Sequence, residues 1–315
     1  MSHRTPPTSE SQTEATLDHL GVLSLKGEDA QSFLQGYVTC DMDVLAPGRA
    51  LCGAFCNLKG RVIADFLILS ASANETTEYC LVLHNSMIQG VLNHMQKYLT
   101  FSRSHLLDRS SDWELYGNLA ASPAPIHWPA RVTWTHTGTS QDCSVDMGSM
   151  QLRLRRTGST AGELNEAGSA GSRAPRSSAN SWIYHEILSD IPHIVADTSE
   201  RYLPQALGLD RLGAVSFSKS CYLGQEIIAR TQHLGKLKRH LERLNWHSDV
   251  IACPQPGDVI RTAEGSALGD VIWAAMSPGA ELPAQSEALD GKLLAVLKQP
   301  LEDTAFVNDI ALQPE

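Results

Sequence analysis

The chain has 315 residues, of which 42% are hydrophobic and 19% charged, a globular composition long enough for two or three packed units rather than one small core. Its formal net charge of -10 argues against a constitutive nucleic-acid coat, because phosphate affinity comes mostly from clustered Lys and Arg. The cysteines (Cys40, Cys52, Cys56, Cys80, Cys143, Cys221 and Cys253) form no dense even framework, so they are expected as reduced thiols in a cytoplasmic protein.

Residues 1–16, MSHRTPPTSESQTEAT, are polar and lack the apolar centre of a secretory signal, and are expected as a disordered tail. The stretch LGVLSLKGEDAQSFLQGYV (20–38) runs from an apolar strand through Gly27 into a segment with Ala30, Phe33, Leu34, Tyr37 and Val38 at helical spacing. After the turn signal Pro47-Gly48, RALCGAFC and the apolar run ending at Leu69 flank the tight turn NLKG (57–60), which predicts a hairpin. No stretch approaches the run of about 20 apolar residues needed to cross a bilayer, so no membrane partner is expected. YCLVL (79–83) is a further strand, and Met87, Ile88, Val91, Leu92, Met95 and Leu99 then lie on one helical face. Strands are also predicted at 113–117, 131–134 and 151–155. These pieces are too short and too hairpin-like for a doubly wound sheet, which favours α+β.

Residues 157–181 are almost entirely small and polar and are expected as a mobile loop. Structure resumes at WIYHEIL (182–188). From 236 to 315, short apolar runs separated by Pro-Gly, Glu-Gly and Asp-Gly turns predict a small all-β domain.

Residues 219–230, KSCYLGQEIIAR, concentrate the chemistry. If a helix begins near Gly224, Cys221 lies just ahead of its positive end and close to Lys219, and both would lower the thiol pKa. Free cysteine is also among the most buried residue types and packs as a small hydrophobe. Gln225 and Glu226 carry groups able to read a ring with donor and acceptor edges, or simply to solvate a helix start. Asp65, inside an apolar strand, costs free energy unless it is paired, hydrogen-bonded or facing a cavity. Cys52 and Cys56, with Cys40 upstream, have no matching His or Cys set for zinc or a four-thiolate cluster, so no metal site is expected. No nucleophile elbow, phosphate loop or dinucleotide fingerprint is present.

KSCYLGQE resembles the K-G-C-Y-x-G-Q-E signature of the YgfZ folate-binding family. The resemblance extends through YLPQ, L-G-x-V-S-F and the trailing Ala229-Arg230, and covers LKGEDAQSFLQGYVTCDM and CNLKGRVIADFLIL in the N-terminal part. It implies an architecture similar to the aminomethyltransferase (T-protein) of glycine cleavage: an α+β region over 17–235 with a ferredoxin-like subdomain around a folate-sized hole, closed by a C-terminal β-barrel. It implies tetrahydrofolate as the cofactor, with Asp65, Tyr222, Gln225, Glu226 and Arg230 around it, and Cys221 as a functional thiol with Lys219 beside it. The implied role is assembly or maintenance of iron-sulfur enzymes, with an indirect effect on tRNA modification; the implied partners are iron-sulfur client enzymes or assembly proteins. A classical turnover enzyme is not expected, the alternative being a folate-dependent one-carbon transferase. Two departures stand out. Ser220 replaces the glycine before the cysteine, and Ala64 precedes Asp65 where T-proteins carry adjacent aspartates, which weakens the case for aminomethyl transfer.

Overall fold

The computed structural model describes residues 13–70, 78–120, 130–137, 140–157, 176–177, 179–235, 237–249, 252–278 and 288–315. Its elements in chain order begin with β1 (Thr13–Thr16), β2 (Leu20–Gly27), α1 (Ala30–Tyr37), β3 (Arg49–Cys56), β4 (Val62–Ser70), β5 (Glu78–His84) and α2 (Ile88–Leu99). They continue with β6 (Ser104–Asp108), β7 (Trp113–Leu119), β8 (Ala130–Thr137), β9 (Ser140–Asp146), β10 (Met150–Arg156), β11 (Arg176–Ser177) and α3 (Ala179–Leu188). After α4 (Gln225–Leu234) come β12 (His240–Ser248), β13 (Val259–Arg261), β14 (Ala267–Met276), β15 (Leu289–Leu297), β16 (Ala305–Val307) and β17 (Ile310–Pro314).

The strands up to β11 form one sheet of eleven in the order β11-β1-β7-β10-β9-β8-β3-β4-β5-β2-β6, and the last six close into a barrel. The α+β class and the C-terminal barrel are as the sequence predicts. The α+β region is continuous, because the β3–β8 pairing joins its two halves edge to edge. Strand β4 explains how one sheet serves two cores. Its side chains alternate, so Phe66 and Ile68 pack with α1 and α2 on one face, whereas Leu67 and Leu69 pack with Trp113, Leu152 and Trp182 on the other.

Two sequence-based boundaries are corrected. Thr13–Thr16, expected within the tail, form β1 and pair with β7 and β11; residues 1–12 lie outside the described residues. The polar loop expected to reach 181 ends earlier, because Arg176–Ser177 pair with β1 and α3 starts at Ala179. Residues 158–175 lie outside the described residues. Helix α3 is apolar on most sides because it is wedged between sheet and barrel. A Cβ on Gly117 of β7 would sit 2.2 Å from the Trp182 ring, so the bare glycine is what lets that indole lie flat on the sheet. On the barrel side, Asn180 exchanges two hydrogen bonds with the Met276 backbone, and Arg243 donates to the Leu188 carbonyl at 2.6 Å.

Candidate functional site

The residues singled out in the sequence fall into two regions. The first is a cavity of about 60 Å³ with an apolar wall that includes Leu20, Phe66, Leu67, Val82, Met150 and Leu152, and a polar wall of Asp65, Glu186 and His193. Asp65 is 4% exposed and Glu186 3%. Buried charges at this depth demand partners, and each has them. Asp65 Oδ1 accepts from the Ile194 backbone N–H at 2.6 Å, and its Oδ2 lies 3.1 Å from His193 Nδ1, an ion-pair contact without hydrogen-bond alignment. Glu186 Oε1 accepts from Trp182 Nε1 at 2.6 Å and from His193 Nε2 at 3.0 Å. Its Oε2 accepts from Trp273 Nε1, an indole supplied by the barrel, at 3.3 Å.

The charges in this cluster are mutually dependent. Burial works against the His193 proton, but Glu186 and Asp65 together outweigh it and raise the imidazole pKa well above 6.5. Burial also opposes ionisation of Glu186, yet His193 and the indole donor hold its carboxyl below the ordinary value. The cluster is therefore an imidazolium between two carboxylates. Two more histidines border it. Burial lowers the pKa of His19 and takes that of His84 to about 4, with His193 and His19 adding to the shift. Trp273 stands against all three rings, with centroids at 6.1, 5.6 and 5.5 Å from His19, His84 and His193.

The second region is the loop from Ala214 to Gly224. It is zipped along the chain that leaves α1: Thr39 Oγ1 donates to the Ala214 carbonyl at 2.6 Å, Ser216 N–H to the Thr39 carbonyl, and Leu223 N–H to the Gly36 carbonyl. Lys219 is buried beneath it, and its ammonium donates to the carbonyls of Val38 (3.0 Å) and Cys40 (2.7 Å) while lying 5.2 Å from the centre of the Tyr222 ring. Burial lowers this amine to about 8. Lys219 is thus committed to the scaffold rather than to its neighbour thiol. Cys221 is exposed.

The turn NLKG fixes the other side of the loop. Gly224, the N-cap of α4, has φ 83°, and a Cβ there would lie 2.5 Å from the Asn57 carbonyl. A side chain would meet both backbone strain and a clash. The two motif segments quoted above therefore meet in space. Ser220 lies outside the left-handed region, so its replacement of the family glycine imposes no strain.

The structure separates the expected folate contacts. Asp65 is in the cavity; Tyr222, Gln225, Glu226 and Arg230 are not among its lining residues. Tyr222 is buried with an unpartnered hydroxyl, Gln225 Oε1 accepts from the Tyr222 backbone N–H at 3.3 Å, and Glu226 and Arg230 are exposed. Sequence reasoning missed His193 and Glu186. The available signal was Glu186 four residues after Trp182, a spacing that puts both side chains on one face of the helix. Among the described residues no cluster of His, Cys, Asp and Glu suits a metal ion, and no helix is long and apolar enough to cross a membrane.

The chain superimposes on the glycine cleavage system aminomethyltransferase T of Bartonella henselae with a TM-score of 0.64, covering 96% of this chain and 84% of that one at 13% identity. Residues 12–117 match the sequence model of the GCVT N-terminal domain. The class is therefore that of proteins built on the aminomethyltransferase T fold. Within it, the chain is 30% identical to the tRNA-modifying protein YgfZ of Colwellia psychrerythraea, over 81% of this chain and 79% of that protein. It is 30% identical to the protein of the same name from Vibrio atlanticus (78% and 74% covered) and 28% identical to that of Photobacterium profundum (95% and 87%). The chain belongs to the YgfZ family.

Proposed function

We propose that the protein is a reduced-folate-binding accessory factor for the assembly or maintenance of iron-sulfur enzymes, and that its connection with tRNA modification runs through such enzymes. The observation that carries this reading is the pair of buried carboxylates facing an apolar wall. A flat heterocycle with N–H donors on one edge and a large apolar face matches that chemistry. Asp65 and Glu186 would hold the donor edge, and Leu67, Val82 and Met150 the face. When bound, tetrahydrofolate would supply a one-carbon carrier with a readily oxidised ring.

Cys221 serves a separate task in this reading. A single thiol cannot hold a cluster that needs four ligands, but an exposed sulfur on a fixed loop is placed to meet a partner. The adjoining turn and helix expose Leu58 and Ile227, at 73% and 37%. Direct one-carbon transfer is the weaker reading, because Ala64 stands beside Asp65 where T-proteins carry a second aspartate.

The test is complementation together with binding. In cells lacking the protein, Cys221→Ala is expected to fold and to bind reduced folate, measured by tryptophan fluorescence, yet to leave iron-sulfur enzyme activity unrestored. Full rescue by Cys221→Ala would remove the thiol from the mechanism. Steady-state turnover of an aminomethyl donor with tetrahydrofolate would favour the transferase instead.

A further inference from the structure

The cavity combines the chemistry of a ligand site with too little room for one. Small-molecule sites typically enclose about 300 Å³ or more, and this one has about 60 Å³. The space between its two carboxylates is filled by the imidazole of His193, whose nitrogens lie 3.1 Å from Asp65 and 3.0 Å from Glu186. A flat ring offering N–H groups to both carboxylates is also what a bound heterocycle would present.

We propose that His193 is an internal competitor for the ligand: its imidazole stands where the N–H edge of a bound heterocycle would go, and ligand entry displaces it toward solvent. This rests on the reduced-folate reading and adds what controls affinity at that site. The segment is suited to such a movement. His193 is 12% exposed at its side chain, so water is adjacent on one side. It follows a turn at Asp190, which takes φ 54°, a left-handed conformation that aspartate adopts more readily than most residues.

The groups facing His193 set the pH dependence. They are Asp65 from β4, Glu186 from α3, His84 from the end of β5, and His19 from the β1–β2 turn with Asp18 behind it; the barrel contributes the uncharged Trp273. In the closed pocket the two carboxylates hold the proton on His193. Displaced into water, the imidazole returns to an ordinary pKa of about 6.5. Between that value and the raised one, ligand entry releases a proton, so affinity rises with pH by up to about tenfold per unit.

The experiment is calorimetry on the full chain from about pH 6.5 to 9, using 5-formyltetrahydrofolate as a stable reduced folate. Wild type is expected to bind more tightly as pH rises, with about one proton released per ligand. His193→Ala should bind at least about tenfold more tightly at neutral pH, with a flat pH profile. His193→Gln, which keeps N–H donors for the carboxylates and so protects the fold, should also lose the pH dependence. Benzamidine, a flat cation with paired N–H donors, questions the vacated carboxylates without any folate and is expected to bind His193→Ala alone. A pH-independent wild-type affinity, with His193→Ala no tighter, overturns the competitor and leaves the folate reading standing. Benzamidine binding to His193→Ala with no folate binding to any form overturns the folate reading and keeps the competitor. Binding of neither ligand to any form overturns both.

Discussion

The Asp65 cavity and the Cys221 loop each contain a buried cation, and they use it in opposite ways. In the cavity, His193 faces two carboxylates that would otherwise be open to a ligand, so its charge belongs to the recognition surface. Under the loop, Lys219 faces two backbone carbonyls, and its charge is consumed in holding the main chain. The exposed group there is Cys221, which depends on the lysine for position. Removing a cation therefore unblocks a pocket in the first region and loosens a platform in the second.

The comparison is tested most strongly at Glu186. Glu186→Ala leaves His193 Nε2 and the Trp182 and Trp273 indoles without an acceptor, and is expected to cost about 3–5 kcal/mol in denaturant unfolding, the usual penalty for breaking a buried ion pair. The sign of its pH dependence follows from both partners. The His193 contribution is complete below about pH 6.5 and is lost as pH rises through its raised folded pKa. The Glu186 contribution is present above about pH 4.5 and is lost as pH falls through its lowered folded pKa. The stability gap between wild type and variant should therefore be widest between those limits; a gap constant from acid to alkali would deny the ion pair its place.

Lys219→Met comes next, at about 1–3 kcal/mol for two carbonyls left without their donor. Limited proteolysis should cut the 214–224 loop sooner, while ligand affinity at the cavity stays at the wild-type value. An equal loss of affinity in Lys219→Met and Glu186→Ala would merge the two regions into one. Cys221→Ala should change stability least, within about 0.5 kcal/mol, as at other exposed positions. In the wild type, iodoacetamide with mass mapping should modify Cys221 first. Burial pushes Cys253 up to about 11 and Cys40 up to about 12, and also raises Cys52, Cys56 and Cys143. Comparable early labelling of Cys40 would show the loop detached from α1.

Much of the fold was legible because its signals are local. The turn NLKG and the apolar runs beside it predict the β3–β4 hairpin, and the spacing from Met87 to Leu99 predicts α2. The order of the strands was not legible, since β1 and β11 are four and two residues long and draw their meaning from partners distant in sequence. Asp65 was visible as a charge in an apolar strand. Glu186 and His193 were not, because a glutamate in a helix and a lone histidine after a proline look the same whether they face water or each other. The signature loop deceived differently. Lys219 and Cys221 are two residues apart, which suggested that the amine tunes the thiol, but the backbone bends through 217–220, so these two positions do not share a face as they would in an extended strand. One side chain goes down to the α1 carbonyls and the other stays outside.

The indole of Trp273 and the asparagine at the start of α3 give the cavity a mechanical character. Glu186 is fastened to the barrel by Trp273, and α3 by Asn180 and Arg243, whereas Asp65 is a rung of the sheet. The two carboxylates both belong to the α+β region, but one is tied to the barrel and the other to the sheet, like the jaws of a vice with the imidazolium as the workpiece between them. Any load that tilts the barrel against the sheet is transmitted to the grip.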